Sequence, residues 1–285
     1  MNLQRTLGTA FLLYGILFGA FLFLRVAADP RRVQRERGNF LYLFLLEIPI
    51  CFLATLGISD YLMNTLLIRH FRLTSSKKLP GTLVLAGLLP ATVIAFFLLR
   101  VEHPVALSTL LPCAVSIVCG ALFGSRIVRG LDGVRIRQVM VIALIGSLIA
   151  LMIKIVLTRG AAGTATGLSL PKLILAVILA FFWGAVNMLG VPMKPAGTAL
   201  FLLLGLSPLT TLTLVLVLAC TSVIGGSIPM YRSGLYHQKL VCAASLGGSL
   251  GAVLGSLFAI SLSATLLNIL LLLVMLLAIF SLLRK

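Results

Sequence analysis

The sequence has few charged residues, and acidic side chains are the scarcest of them. Only 10% of the 285 residues are charged, six of them acidic, whereas 60% are hydrophobic. A soluble domain of this length needs much more polar surface than that. The composition therefore predicts an all-α polytopic membrane protein.

Several chemical signatures are also absent. The five cysteines lie in or beside apolar runs without a CxxC pair, which predicts small buried residues rather than disulfides or metal ligands. The three histidines lack metal-ligand spacing, and no GxxxxGK[ST] motif is present. Residues 247–251 match GxSxG formally, but they lie in an apolar run with no preceding strand. These absences predict a protein that is not an enzyme and uses no cofactor.

What is present is a formal net charge of +17, concentrated in a few short segments. The basic clusters are residues 31–37, 69–78, 126–137, 232–239 and 284–285. Short basic loops between apolar runs are typical of the cytoplasmic side of a membrane protein, so we expect no nucleic-acid partner.

Apolar runs predict the membrane-embedded segments. They cover residues 6–24, 40–56, 61–68, 79–99, 104–123, 139–157, 173–190, 196–205, 209–228, 239–260 and 262–283. The first run has one arginine before it and five shortly after it. This imbalance favours an uncleaved helix with its N-terminus outside, although a cleaved signal peptide is an alternative.

One apolar segment, residues 173–205, is interrupted in its middle. Pro192 and Pro195 remove two backbone donors, so a helix that enters this segment should end near Gly190. Proline suits the first turn of a helix, so Pro195 is expected to lie in the first turn of a second, shorter helix that continues through residues 196–205. Non-helical backbone at membrane depth requires surrounding protein or a water-filled cavity.

Residues 40–68 have the same design. The expected break is at Gly57, and Ser59 or Asp60 would cap the second piece. Because Gly57-Ile58 matches Gly190-Val191 in this respect, the two segments are predicted to be equivalent parts of an internal repeat.

The repeat is also visible elsewhere, because residues 120–125 (GALFGS) recur as 251–256 (GAVLGS). The predicted organisation is an N-terminal transmembrane helix and basic loop (1–38), a first repeat (39–157), an inter-repeat loop (158–172) and a second repeat (173–285). If each broken segment is a re-entrant hairpin, all five basic clusters lie on one side of the membrane. The two repeats are then inverted, which is typical of transporters.

Each break carries one ionisable residue. Lys194 stands at the start of a half-helix, where the helix dipole disfavours a cation, and its burial at midplane costs roughly 3 kcal/mol. Asp60 occupies the equivalent place in the other repeat. We expect the two to form an ion pair, permanent or exchanged against an anion, although Asp60 alone also fits a helix cap. Glu47 lies on the entering helix, where it is either solvated near the interface or a proton-binding carboxylate.

Other polar residues near the breaks and mid-spans are predicted to line a substrate pocket. With Lys194 and Asp60, these are Ser59, Asn64, Thr92, Asn187, Thr221 and Ser222. Serine and threonine often bond to their own helix, so each is weak evidence alone. The small residues Gly120, Gly124, Gly247, Gly251 and Gly255 are predicted to allow close helix packing.

Two motifs carry a resemblance to a known family. Residues 120–127 (GALFGSRI) and 218–226 (LACTSVIGG) are similar to segments of the sulfite exporter TauE/SafE family, the toluene sulfonate uptake permeases. The resemblance covers roughly residues 40–283 and implies a small sulfur-containing or organic anion as cargo. It also implies a bacterial cytoplasmic (inner) membrane. This chain departs from the family where a glycine run is usual, because Ser59 and Asp60 follow Gly57-Ile58, and Pro192 to Lys194 follow Gly190-Val191.

Together these features predict a secondary transporter that moves a small anion through a midplane site made by two helix breaks. With no nucleotide-binding motif, a proton or ion gradient or the membrane potential would drive it. An anion channel and a non-transporting membrane assembly component are the alternatives. Saturable flux and counter-exchange distinguish a carrier from a channel.

Overall fold

A computed structural model describes residues 2–28, 30–100, 105–135, 138, 163–191 and 194–261. Within these ranges all regular secondary structure is helical apart from one isolated bridge between Ala165 and Leu206. The helices are α1 (Asn2–Ala28), α2 (Pro30–Arg35), α3 (Phe40–Thr55), α4 (Asp60–His70), α5 (Leu79–Leu98), α6 (Leu107–Gly130), α7 (Leu170–Asn187), α8 (Lys194–Leu203), α9 (Pro208–Ser233) and α10 (Gln238–Ser261). The predicted spans 139–157 and 262–283, and Pro192, lie outside the described residues.

Six of these helices are long and apolar enough to cross a membrane by length and composition. They are Leu3–Ala28, Leu79–Leu98, Leu107–Gly130, Leu170–Asn187, Pro208–Ser233 and Gln238–Ala259. Phe40–Thr55 is a shorter apolar helix. The prediction of a polytopic α-helical membrane protein is thus confirmed at this level.

The first predicted break is present between α3 and α4. Gly57 has a φ of +93°, a left-handed conformation that glycine adopts without steric cost. The Ile58 N–H returns to the Leu53 carbonyl at 3.2 Å, which closes the end of α3. Ser59 then caps α4, because its Oγ accepts the Leu62 N–H at 3.3 Å.

The second break has the same form. α7 ends at Asn187, Gly190 has a φ of +84°, and α8 begins at Lys194. Pro195 is the second residue of the half-helix and so lies in its first turn, as predicted. Both glycine breaks predicted from the sequence occur where expected.

The two ends of each broken segment lie together. At the first, the rings of Tyr42 and Phe71 are 5.5 Å apart in an edge contact, and Leu73 packs beside Gly38. At the second, Lys172 Nζ donates to the Leu204 carbonyl at 2.8 Å. Each broken segment therefore returns to the place where it began.

Glycine faces bring the entering helices into contact with distant partners. α3 packs on α10, and α7 packs on α6. A Cβ atom at Gly251 would lie 2.0 Å from the Ile48 carbonyl oxygen, and one at Gly120 would lie 1.9 Å from that of Phe181. No side chain fits at such distances, so the predicted role of these glycines in close helix packing is confirmed.

Between these pairs, α5 and α9 contact each other in the centre of the molecule. α1 lies along α5, with Gly15 of α1 directly against Thr92. The Tyr14 hydroxyl also shares a 2.6 Å hydrogen bond with Ser227 of α9. Helix α1 is thus attached to the outside of the central pair.

Several basic loops meet at one end of the bundle. Gly133, just after α6, lies beside Ser76, and the Glu36 carboxylate accepts the backbone N–H groups of Gln238 and Lys239 at 3.1 and 2.7 Å. The opposite end holds the described part of the inter-repeat loop. There the Ala106 N–H donates to the Thr166 carbonyl at 2.9 Å.

Candidate functional site

Asp60 and Lys194 form an ion pair inside the protein. Lys194 Nζ lies 2.7 Å from Asp60 Oδ1, and the two side chains are only 8% and 16% exposed. The residues are the first of α4 and of α8, so the pair joins the two half-helices. The ion pair expected from the sequence is present, while the proposed roles of its members in binding remain predictions.

Helix electrostatics make the two partners unequal. The N-terminus of a helix has a partial positive charge, which stabilises Asp60 at the start of α4 and opposes Lys194 at the start of α8. Lys194 is therefore stabilised mainly by the Asp60 carboxylate. The site has two half-helix N-termini and one cation but only one carboxylate, a combination that suits an additional anion.

A narrow cavity adjoins the ion pair. Its volume is about 30 Å³, room for about two water molecules. Its polar lining consists of Ser59, Asp60, Tyr61, Asn187 and Lys194, and its apolar walls come mainly from α3, α5 and α9. The structure thus brings residues of both breaks into one site.

Asn187 is oriented by a hydrogen bond to Ser222 on the side away from the cavity. Its Nδ2 donates to Ser222 Oγ at 3.0 Å, and both side chains are buried. The hydroxyl of Tyr61 lies near Asn187, but the two do not form a hydrogen bond. Ser222 therefore supports the cavity by orienting Asn187 rather than by lining it.

A second polar cluster lies next to the ion pair. Glu47 is completely buried on α3, and its Oε2 accepts from Asn64 Nδ2 of α4 at 3.3 Å. Cys51 Sγ, which lines the cavity, lies 4.0 Å from the same oxygen. Of the two sequence interpretations of Glu47, the solvated one is wrong, because its side chain has no exposed surface and lies against Asn64 of α4.

Four predicted pocket residues do not line the cavity: Asn64 and Ser222, described above, and Thr92 and Thr221. Thr92 donates to the Leu89 carbonyl at 2.8 Å and packs against Gly15. Thr221 donates to the Val217 carbonyl at 2.7 Å. Threonine hydroxyls in apolar helices readily bond to their own backbone, and both residues do so here.

Sequence reasoning missed Tyr61, Cys51 and Gly87 as cavity residues. Gly87 lies against the carboxylate, because an added Cβ would be in van der Waals contact with Asp60 Oδ2 at 3.5 Å. Tyr61 directly follows Asp60 in the sequence, which was an available signal. Nothing in the sequence pairs Gly87 with the break, because it lies on another helix.

Within the ranges that the structure describes, no group of three or more His, Cys, Asp or Glu side chains is placed to hold a metal ion. No protein-family model, curated protein or solved structure matches this chain. Fold and site together define a polytopic α-helical membrane protein with a buried ion pair at the junction of two broken helices.

Proposed function

We propose that the protein is a secondary transporter for a small anion, which binds at the Asp60–Lys194 pair. The observation that carries this proposal is the position of the pair. A buried cation lies where two half-helix N-termini meet, beside a cavity with a polar lining.

Anion binding would work by exchange. An arriving anion takes the place of Asp60 at Lys194, and Asp60 then binds a proton, because a buried carboxylate without a cation is costly. The empty pair is neutral, the anion adds one negative charge, and one proton restores neutrality. Electrostatics therefore couples one proton to each monovalent anion.

The packing supports two inverted repeats. Exchanging α3, α5 and α6 for α7, α9 and α10 leaves the main pattern of contacts between helices unchanged. Each broken segment returns to its own start, the first beside the gathered basic loops and the second at the opposite end. By the distribution of positive charge, the basic end is cytoplasmic, and the N-terminus of α1 is outside.

The cavity size and the sequence resemblance guide the choice of cargo. About 30 Å³ is room for about two water molecules, so even a four-atom anion requires the cavity to open further, and an aromatic ring requires a much larger change. With the similarity to the sulfite exporter TauE/SafE family, this favours a small sulfur-containing anion such as sulfite. The corresponding location is the bacterial inner membrane.

Transport is tested in proteoliposomes with labelled sulfite, sulfate and chloride. The parent protein should show saturable flux and counter-exchange of at least one anion. Lys194→Gln should abolish binding, whereas Asp60→Asn should bind the anion with an affinity that no longer depends on pH. Lys172→Gln, which changes a lysine at the exposed end of the second broken segment, is the matched control.

Two outcomes contradict the proposal. If Lys194→Gln binds the anion as well as the parent, Lys194 is a structural charge only. Flux that fails to saturate and shows no counter-exchange indicates a channel instead.

Topology is tested separately. Single cysteines at Ser75, Gly133 and Ser233, in a protein whose native cysteines are replaced, should all react from the cytoplasmic side. Reaction of Ser75→Cys from outside, with Gly133→Cys still inside, contradicts the re-entrant hairpin and the inverted repeat.

A further inference from the structure

Glu47 is a buried carboxyl group whose surroundings are not explained by the ion pair. Its side chain has no exposed surface, and no Lys, Arg or His of the described residues lies within ion-pairing distance of it. Its hydrogen-bonding partners are the amide of Asn64 and the weakly donating Cys51 thiol. A permanent negative charge in such a place would be highly unfavourable.

The unpartnered atoms of this cluster are informative. Asn64 Nδ2 donates to Oε2 of Glu47, while Oε1 of Glu47 and Oδ1 of Asn64 are both buried without a hydrogen-bond partner. Both groups are planar, so in an edge-to-edge arrangement one N–H···O contact leaves the other two oxygens on neighbouring corners. Two acceptors cannot bond to each other, but a hydrogen on one of them supplies the missing donor.

We propose that Glu47 is a proton-binding site, in which a proton on Oε1 is donated to Oδ1 of Asn64 and closes a two-hydrogen-bond ring. The proton comes from water, and Asn64 is chemically unchanged because it only accepts the hydrogen bond. In the protonated state both unpartnered oxygens are satisfied and no buried charge remains. Loss of the proton leaves one N–H···O bond and an uncompensated negative charge.

The charged and titratable groups around Glu47 favour this assignment. On α3 the neighbour is Cys51. On α4 it faces Asp60, which opposes a second negative charge, with Tyr61 beside it. Lys194 of α8 is already paired with Asp60. α10 has only Lys239 and Cys242, both in its first two turns, and α5 has no titratable residue.

This inference extends the proposed function, because Asp60 and Asn64 are four residues apart on α4 and so share one face of that helix. The proton held by Glu47 and Asn64 is therefore stored next to the carboxylate that needs a proton when an anion takes Lys194. Glu47 would supply that proton and be reprotonated from solvent. The test below measures protonation itself, so it does not depend on whether any anion is transported.

The decisive measurement is the infrared spectrum of the purified parent protein at neutral pH. We expect the carbonyl stretch of a protonated, buried carboxyl group, and its complete loss in Glu47→Gln. Asp60→Asn and Glu36→Gln are the controls, and both should keep the band. Absence of the band from the parent, or its loss in Asp60→Asn and not in Glu47→Gln, overturns the proposal.

A second measurement uses thermal stability and distinguishes a proton from a metal cation. The glutamine of Glu47→Gln reproduces the donor of the protonated acid, so this variant should melt close to the parent. Asn64→Leu removes both hydrogen bonds and should melt clearly lower. If sodium raises the melting temperature of the parent but not of Glu47→Gln, and removes the infrared band, the site binds sodium and the proton assignment is wrong.

Discussion

Removing the charge of Lys194 tests how strongly the buried ion pair is coupled to the fold. In Lys194→Gln, Asp60 keeps its place at the start of α4 but loses the partner 2.7 Å away. Breaking a buried pair from one side typically costs about 3–5 kcal/mol, because the remaining charge is uncompensated. The low exposure of both side chains, 8% and 16%, places this pair in that class rather than among surface pairs.

An upper limit to the cost comes from protonation. An aspartate in water has a pKa of about 3.9, so neutralising one at pH 7 requires about 4 kcal/mol. The free energy of unfolding of the variant therefore falls by at most about 4 kcal/mol through this charge. If the unpaired charge cost more than that, Asp60 would bind a proton instead. If the limit applies, the loss shrinks by about 1.4 kcal/mol for each unit by which the pH is lowered.

The assay is reversible unfolding in bicelles, followed at pH 7 and pH 5 for four proteins. These are the parent, Lys194→Gln, the double variant Asp60→Asn with Lys194→Gln, and Lys172→Gln as an exposed-lysine control. The double variant removes both charges and should lie within about 1.5 kcal/mol of the parent, because a neutral replacement of a buried pair is often tolerated. The control should change stability by less than about 0.5 kcal/mol.

One result would refute the reasoning. A loss below about 0.5 kcal/mol in Lys194→Gln, with no recovery at pH 5, means that water solvates both charges as it does at a protein surface. The cavity would then be an open aqueous vestibule, and the electrostatic basis for coupling an anion to a proton would be lost.

Three further predictions follow from local contacts. Gly251→Leu should destabilise the fold by about 3 kcal/mol through overlap with α3. Gly130→Ala should have little effect, because nothing lies within 4 Å of a Cβ atom added there, and thermal unfolding compares the two variants. Ser222→Ala should cost about 1–3 kcal/mol by leaving the Asn187 amide unpaired, and an unchanged melting temperature would mean that water replaces the hydroxyl. His237 lies outside the spans, and burial lowers its pKa below 6.5 despite the opposing charge of Glu36. The unfolded chain therefore binds this proton more readily than the folded protein does, so the free energy of unfolding should fall as the pH drops below about 6.5. The variant His237→Gln should lose that part of the pH dependence.

The sequence alone determined the class of the protein and the position of its breaks. Long apolar runs require helices in a bilayer, and a glycine followed closely by a proline or by helix-capping residues marks a helix end, so Gly57 and Gly190 were recognisable without a structure. Four prolines that lack that context lie inside helices: Pro49, Pro90, Pro112 and Pro229. The pairing of Asp60 with Lys194 was also predictable. A repeat places equivalent residues in equivalent sites, and an unpaired charge at that depth is too costly.

Only the tertiary structure decided which polar residues face the cavity. Thr92, Thr221 and Ser222 lie in apolar helices like Asn187, but helix rotation and packing turn Thr92 toward α1 and leave Ser222 behind Asn187. Helical periodicity shows which residues share one face of a helix but not which other helix packs against that face. In an apolar helix almost every face is equally hydrophobic, so hydrophobicity does not identify the face either. The burial of Glu47 against Asn64, seventeen residues along the chain, follows from the return of α4 beside α3, a contact that depends on the angle of the turn at Gly57.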